Sequence, residues 1–149
     1  MTLVDADLRS PSIHGSTETE RSPGLSEALL GADLEGSVVH PRHHPELGVL
    51  PAGTPVDDPA GLLEVGLGEK LLAFAGADLV IIDTSAHSLY ADALAVAIQC
   101  DVTLVIVDAR STRRRALGQL VDRLQRASAK PIGVVINRSE PSGRARRGR

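Results

Sequence analysis

The sequence predicts an α/β protein in which a parallel sheet is flanked by helices. Three features predict it. Five short segments, at 2–5, 47–50, 78–83, 102–107 and 131–136, are apolar at nearly every position, as suits strands buried on both faces. Segments with helical signals alternate with them, and strand–helix alternation builds parallel rather than antiparallel pairs. Acidic or amide residues close or follow four of the strands, at Asp5, Asp83, Asp108 and Asn137. A parallel sheet brings such residues to one edge, where the ligands of open α/β sheets bind.

Taken in order, 2–5 is a buried strand ending at Asp5. Residues 10–23 are polar and carry Pro11, Gly15 and Pro23, which predicts a long loop. In 24–31 (GLSEALLG), Ser26 is the expected N-cap of a short helix and Gly31 its terminator. A second loop at 36–46 leads to the strand 47–50 and the turn Pro51-Ala52-Gly53. Asp58 as N-cap and Pro59 at the first helical position open a helix reaching about residue 75, with Gly66 and Gly68 weakening its middle. The strand at 78–83 precedes an apolar helix at 89–99. The strand at 102–107 precedes an amphipathic helix at 112–128, where Leu117, Leu120, Val121 and Leu124 fall at helical spacing. The last strand, 131–136, closes at Asn137-Arg138. Residues 1–138 read as one domain and 139–149 as a basic, disordered tail.

A chain of 149 residues holds one domain with a sizeable core. Aromatic residues make up only 1%, Phe74 and Tyr90, so the core is aliphatic and stacking platforms for single-stranded nucleic acid are excluded. The net charge is −3 even though four arginines crowd into the last six residues. The body is therefore acidic, which argues against a nucleic-acid partner. The tail arginines suit phosphate or an anionic membrane, although a solvated terminus is the simpler reading. Cys100 is the single cysteine, which excludes an internal disulfide framework and points to a reducing compartment. The apolar runs are too short to span a bilayer, and no secretory pattern opens the sequence. A cytoplasmic protein is expected.

Asp5 and Asp7 stand one residue apart at the end of an apolar strand, and Asp83 ends another. Magnesium takes one or two carboxylates and fills its shell with water and phosphate oxygens. One strand-end Asp is more simply a loop cap; two strands ending this way predict a magnesium–nucleotide site. The Asp5–Asp7 pair then suits orientation or deprotonation of a nucleophile in phosphoryl transfer. No Gly-x4-Gly-Lys-Ser/Thr loop occurs in the 149 residues. The nearest string, Gly66-Leu67-Gly68-Glu69-Lys70, lies in a predicted helix and is followed by Leu71 instead of a hydroxyl. Without backbone amides and a lysine on the phosphates, the charge of the transferred group lacks most of its stabilisation. His40, His43 and His44 cluster around Pro41 and Pro45, which predicts an exposed loop ahead of a metal site. Arg113, Arg114 and Arg115 open a helix, where the dipole does not favour them, and read as a solvated face.

Seven strings occur in a telling order: LVDADLRSPSIH at 3–14, GLSEALLG at 24–31, LGVLPAG at 47–53, DPAGLL at 58–63, DLVIIDTS at 78–85, YADALAVA at 90–97 and GVVINR at 133–138. Together they resemble the bacterial tyrosine kinases, the autokinases of capsule and exopolysaccharide synthesis, which are relatives of the MinD and ParA ATPases. The resemblance spans 2–138. It implies a P-loop NTPase fold, ATP and Mg2+ as cofactors, a Walker A-prime element at Asp5 and Asp7 acting in catalysis and magnesium binding, and a Walker B element whose Asp83 holds magnesium. It implies nucleotide contacts at Asn137 and Arg9. It also implies partners: a membrane chain-length or export activator, a P-loop-bearing chain, or a second copy, with recruitment to the inner face of the membrane.

The same resemblance sets further expectations. The family's Walker A strand, loop and helix would precede Met1, so the chain is expected to show the fold without its first strand-loop-helix. It is expected to be inactive alone and to carry a gap or exposed edge in its sheet. The family's Asp-Thr-Pro-Pro reads Asp83-Thr84-Ser85-Ala86 here, and its tyrosine cluster is replaced by arginines, leaving Tyr90 as the one tyrosine. Two alternatives stay open. One is a non-catalytic module that binds a polysaccharide-export or kinase partner. The other is a fragment of a MinD/ParA-type partitioning ATPase, against which the DADLR-x-P string and the LPAG segment speak.

Overall fold

The computed structural model describes residues 1–74, 76–86 and 91–139. The first residues of the helix expected from 89, Tyr90 among them, and the basic tail from 140 onward lie outside the described residues. All five expected strands form: β1 (Thr2–Asp5), β2 (Gly48–Leu50), β3 (Val80–Asp83), β4 (Thr103–Asp108) and β5 (Pro131–Asn137). Every ladder between them is parallel. The expectation of one sheet, however, is corrected to two. β2, β1 and β3 join in that order, β4 and β5 pair separately, and no ladder links β3 to β4 among the described residues.

This division changes what the apolar strands do. Val4 in β1 and Val49 and Leu50 in β2 are fully buried. In β4, by contrast, Leu104 is 53% and Ile106 67% exposed, and most of β5 is exposed as well. Strands expected to be covered on both faces therefore leave apolar side chains in water. Each strand of a two-stranded sheet has only one neighbour, and among the described residues one face lacks a covering layer.

The helices follow their local signals closely. α1 (Ile13–Ser16) is a single turn inside the segment expected to be loop. α2 (Leu25–Leu29) is capped by Gly24, correcting the expectation that Ser26 caps it. Ser26 sits in the first turn, where its hydroxyl donates to Glu27 at 3.1 Å. Glu27, three residues after the cap, accepts the Gly24 N–H at 2.8 Å, which is half of a capping box. Gly31, with φ of +106°, ends this helix as expected. α3 (Pro59–Leu71) starts with Asp58 accepting the Gly61 N–H at 3.1 Å and Pro59 in the first turn. α4 (Asp92–Ala97) and α5 (Arg114–Arg126) complete the set.

The glycines expected to weaken α3 have a packing reason. The Gly68 N–H donates to Gln99 Oε1 at 2.6 Å, and a Cβ at position 68 would stand 2.9 Å from that same oxygen. Gln99 also donates to the carbonyls of Leu63 at 3.0 Å and Ala95 at 2.6 Å. Its amide thus ties α3 to the end of α4. Two aliphatic cores result. The larger centres on Val4, Leu25, Leu50, Leu63 and Leu67; the smaller joins Ala97, Val105, Leu124 and Ala129. α4 bridges them, giving Val96 to the first and Ala97 to the second.

Candidate functional site

Parallel pairing of β1 with β3 sets Asp5 directly opposite Asp83, and the Ala6 N–H extends the ladder to the Asp83 carbonyl at 2.8 Å. Asp7 follows on the loop that leaves β1. Asp5 is fully buried. Its Oδ1 accepts the Asp7 N–H at 3.2 Å and its Oδ2 the Ile13 N–H at 3.1 Å, so this carboxylate shapes the loop 6–13. Asp7 Oδ1 accepts the N–H groups of Arg9 at 3.2 Å and Ser10 at 3.0 Å, an Asx-type turn. Its other oxygen accepts no hydrogen bond among the described residues.

The surroundings of Asp5 and Asp83 disfavour their charged forms. Burial pushes the Asp5 carboxyl above the usual carboxylate range, against the lowering effect of the backbone N–H groups of Ile13, Asp7 and Ser12, and the nearby Asp7 charge raises it further. Asp83 is also raised, first by burial and then by the charges of Asp5 and Asp7. Acids held this way favour a proton or a cation. Among the described residues no cluster of three or more His, Cys, Asp or Glu is close enough to cage a metal by itself. That pattern fits magnesium, which uses one or two carboxylates and completes its shell with water and phosphate, and it does not fit a closed all-protein metal site.

Arg9 is engaged by α4. Its Nε donates to Asp92 Oδ2 at 2.6 Å and its Nη2 to Oδ1 at 3.2 Å, and Asp92 is 1% exposed in the first turn of α4. The pair fastens the loop after β1 to α4. Asn137 ends β5 opposite Asp108, with its side-chain oxygen accepting the Arg138 N–H at 2.8 Å. It belongs to the second sheet, and the described contacts do not bring it to the carboxylate trio. Beside it, Arg138 donates to Asp108 at 3.0 Å; the Arg110 N–H and the Arg138 guanidinium hold the Asp108 carboxyl low. His40, His43 and His44 are exposed on their loop, with His44 Nδ1 3.6 Å from Glu46.

Two acids with structural roles, of which Asp92 holds the site loop, were not singled out from sequence. Asp92 is a buried acid in a first helical turn, and only the fold shows that its partner is Arg9. Glu27 accepts from Ser22, Gly24, Ser26 and the Thr54 N–H, tying α2 to the loop after β2. Its signal was the three-residue capping spacing from Gly24.

In fold, a parallel α/β core with carboxylates at adjacent strand ends, the chain is similar to the MinD-like P-loop ATPases. The septum-site protein MinD of Pyrococcus horikoshii, solved with Mg-ADP, matches 93% of this chain and 59% of its own at a TM-score of 0.72, with 19% identity, and so shares the fold. In sequence the chain is a relative of the bacterial tyrosine-protein kinases. The tyrosine-protein kinase CpsD of Streptococcus agalactiae is 28% identical over 144 residues, covering 94% of this chain and 62% of CpsD. The VpsO kinase domain matches at a TM-score of 0.85 with 28% identity, covering 93% of this chain and 70% of that domain. The chain thus spans about three-fifths of the length of CpsD. No family model matches it.

Proposed function

We propose that these residues are the magnesium-handling part of an ATP-dependent protein-tyrosine kinase domain that serves capsule or exopolysaccharide synthesis. The observation that carries the reading is the facing pair Asp5 and Asp83, with Asp7 beside them, in a chain whose relatives are tyrosine kinases. Asp83 and Asp7 are the residues that would hold magnesium. When bound, the ion would neutralise charge on the nucleotide phosphates. Asp5 fixes the loop that carries Asp7, and in this reading Asp7 takes the proton of the tyrosine hydroxyl. Arg9 contributes by holding this loop against α4.

The phosphate cradle is not within these 149 residues, so the reading requires it from another segment of the polypeptide or from a P-loop-bearing partner chain. Magnesium-dependent ATP binding that appears when such a segment is supplied, and is lost in Asp83→Ala, supports it. Absence of binding at millimolar ATP with the segment present overturns it.

A second reading is favoured by the open side of β4 and β5, where Leu104 and Ile106 face water. Here the chain is an interaction module that docks on a polysaccharide-export or kinase partner, or on a second copy. No helix of the described residues is long and apolar enough to cross a membrane; a cytoplasmic location at the inner membrane face would then come from the partner. Partner binding unaffected by Asp83→Ala and by nucleotide distinguishes this reading from the first.

A further inference from the structure

Charge is divided unevenly along this chain. Residues 1–109 hold seventeen acids and four Lys or Arg, whereas 110–138 hold eight Lys or Arg and a single acid, Asp122. All eight of these cations are exposed. Among the described residues only Arg138 of the eight forms an ion pair, with Asp108 at 3.0 Å. Arg113 is the N-cap of α5, and Arg114 and Arg115 lie in its first turn, which holds no acid. The positive end of the helix dipole disfavours cations there, so an anion brought to this helix relieves a cost that the described residues leave standing.

The same unit carries uncovered aliphatic surface. Leu117, Leu120 and Leu124 of α5 join one cluster with Val105 and Val107 of β4. At about 3.6 residues per turn, Arg115 and Arg126 stand opposite that leucine stripe, with Arg114 and Arg123 on its flanks. In the β4–β5 ladder Val134 is the partner of Val105 and Ile136 of Val107, which sets both on the α5 side of the sheet, away from Leu104 and Ile106. Neither joins the core under α5; Val134 is 44% and Ile136 61% exposed. Lys130 and Arg138 bracket β5 in sequence. An aliphatic outer strand thus lies beside a cationic helix on one side of one sheet.

We propose that this face, the α5 arginines with the open side of β5, docks on an anionic lipid bilayer. The guanidiniums meet lipid phosphates, and Val134 and Ile136 enter the headgroup layer. Cations joined to exposed aliphatic side chains are what holds a protein in the membrane interface, and a cluster of about four to eight Lys or Arg is enough to favour anionic lipid. A nucleic acid would answer the charge and leave the aliphatic strand in water. The acid-rich residues 1–109 are repelled by the same lipid surface, which selects one orientation of the chain. The proposal does not depend on the magnesium reading, because it involves neither the carboxylates nor a nucleotide.

The test is co-sedimentation of the whole chain with vesicles of mixed phosphatidylglycerol and phosphatidylcholine, beside vesicles of phosphatidylcholine alone. Binding is expected on the anionic vesicles only, weakening steeply as NaCl rises. The triple variant Arg115→Gln, Arg123→Gln and Arg126→Gln is expected to lower partitioning about a hundredfold, at roughly fivefold per cation. Ile136→Ser is expected to lower it about fivefold. These side chains are exposed, so both variants should melt with the unaltered chain. Absence of binding, or equal binding to neutral vesicles, overturns the proposal. So does unchanged partitioning of the triple variant when Arg144→Gln, Arg146→Gln and Arg147→Gln abolish it, which assigns the contact to the terminal arginines. Unchanged partitioning of Ile136→Ser overturns the part given to β5. Salt-sensitive self-association in lipid-free sedimentation velocity runs, lost in the triple variant, overturns the lipid assignment in favour of a second copy.

Discussion

The strand pairs β1–β2 and β4–β5 are both rich in aliphatic residues and end up in opposite states, with β3 between them in exposure, its Ile81 43% exposed. β1 and β2 disappear into a core closed by α2 and α3, with Leu50, Leu63 and Leu67 fully buried. β4 and β5 are just as rich in Val, Ile and Leu, yet their smaller core rests chiefly on Val105 and Leu124 against α5. The difference lies in coverage rather than composition. Among the described residues β1 has a ladder on each side, whereas β4 and β5 have only each other. Apolar sequence marks a strand for burial, but burial is delivered by neighbours, and among the described residues the second sheet lacks a layer of them.

The sharpest way to break this comparison is a matched pair of truncations. Leu63→Ala is expected to cost about 2–5 kcal/mol, since it empties a fully buried site in the larger core. Ile106→Ala removes a side chain that is mostly in water and is expected to cost about 0.5 kcal/mol or less. Urea unfolding of both variants decides; equal costs would mean that the second sheet is buried after all. The link between the halves comes next. Arg9→Ala leaves Asp92 buried without its ion partner, and a loss of about 2 kcal/mol is expected, below the full value for a buried pair because Arg9 is about one-third exposed. A loss too small to measure would show that the loop after β1 is held to α4 by other contacts.

How much of this was legible in the sequence follows the same division. Local chemistry read correctly: Asp58 and Pro59 open α3, Gly31 ends α2, and each strand lies within about two residues of its expected place. What failed was whatever depends on distant neighbours. Ser26 looked like a cap because its side chain can accept an N–H, but the chain turns at Gly24 and hands the capping to Glu27. Leu104 and Ile106 looked buried because periodicity reports apolar character and not whether a layer is present. For the site, the opposition of Asp5 and Asp83 was inferable from parallel topology. The engagement of Arg9 with Asp92, 83 positions along the chain, was not, because no local pattern encodes it.

Within the well-covered half, Glu27 gives a pH test of smaller size. Burial alone would raise its carboxyl, but the hydrogen bonds from Thr54 and Gly24 outweigh it and hold the value at about 2. A depressed acid contributes stability that is present above its ordinary value, 4.5, and is lost as pH falls through about 2. Glu27→Gln is expected to lose about 1 kcal/mol at neutral pH, through the charge-assisted bonds it gives up. Its stability should also fall less between pH 4.5 and 2 than that of the unaltered chain. Parallel pH profiles of unfolding free energy would refute the role.

Asp83 carries the opposite sign, and it stands on the strand where the sheet breaks. Its folded-state carboxyl is raised by burial and by Asp5 and Asp7, so between the ordinary value of 3.8 and the higher folded value the native chain binds more protons than the unfolded one. Stability must then fall as pH rises through that window, and at neutral pH the ionised Asp83 works against the fold. Asp83→Asn removes the charge and keeps the shape. It is therefore expected to stabilise the metal-free protein at pH 7 and to show little difference once the medium is acid enough to protonate the native carboxyl. Added Mg2+ should reverse the order, because a cation relieves the repulsion in the unaltered chain and finds nothing to relieve in the variant. A variant less stable than the parent at pH 7 without metal would mean that Asp83 is a structural acceptor, and that the carboxylates at this edge hold the two halves together rather than waiting for a cation.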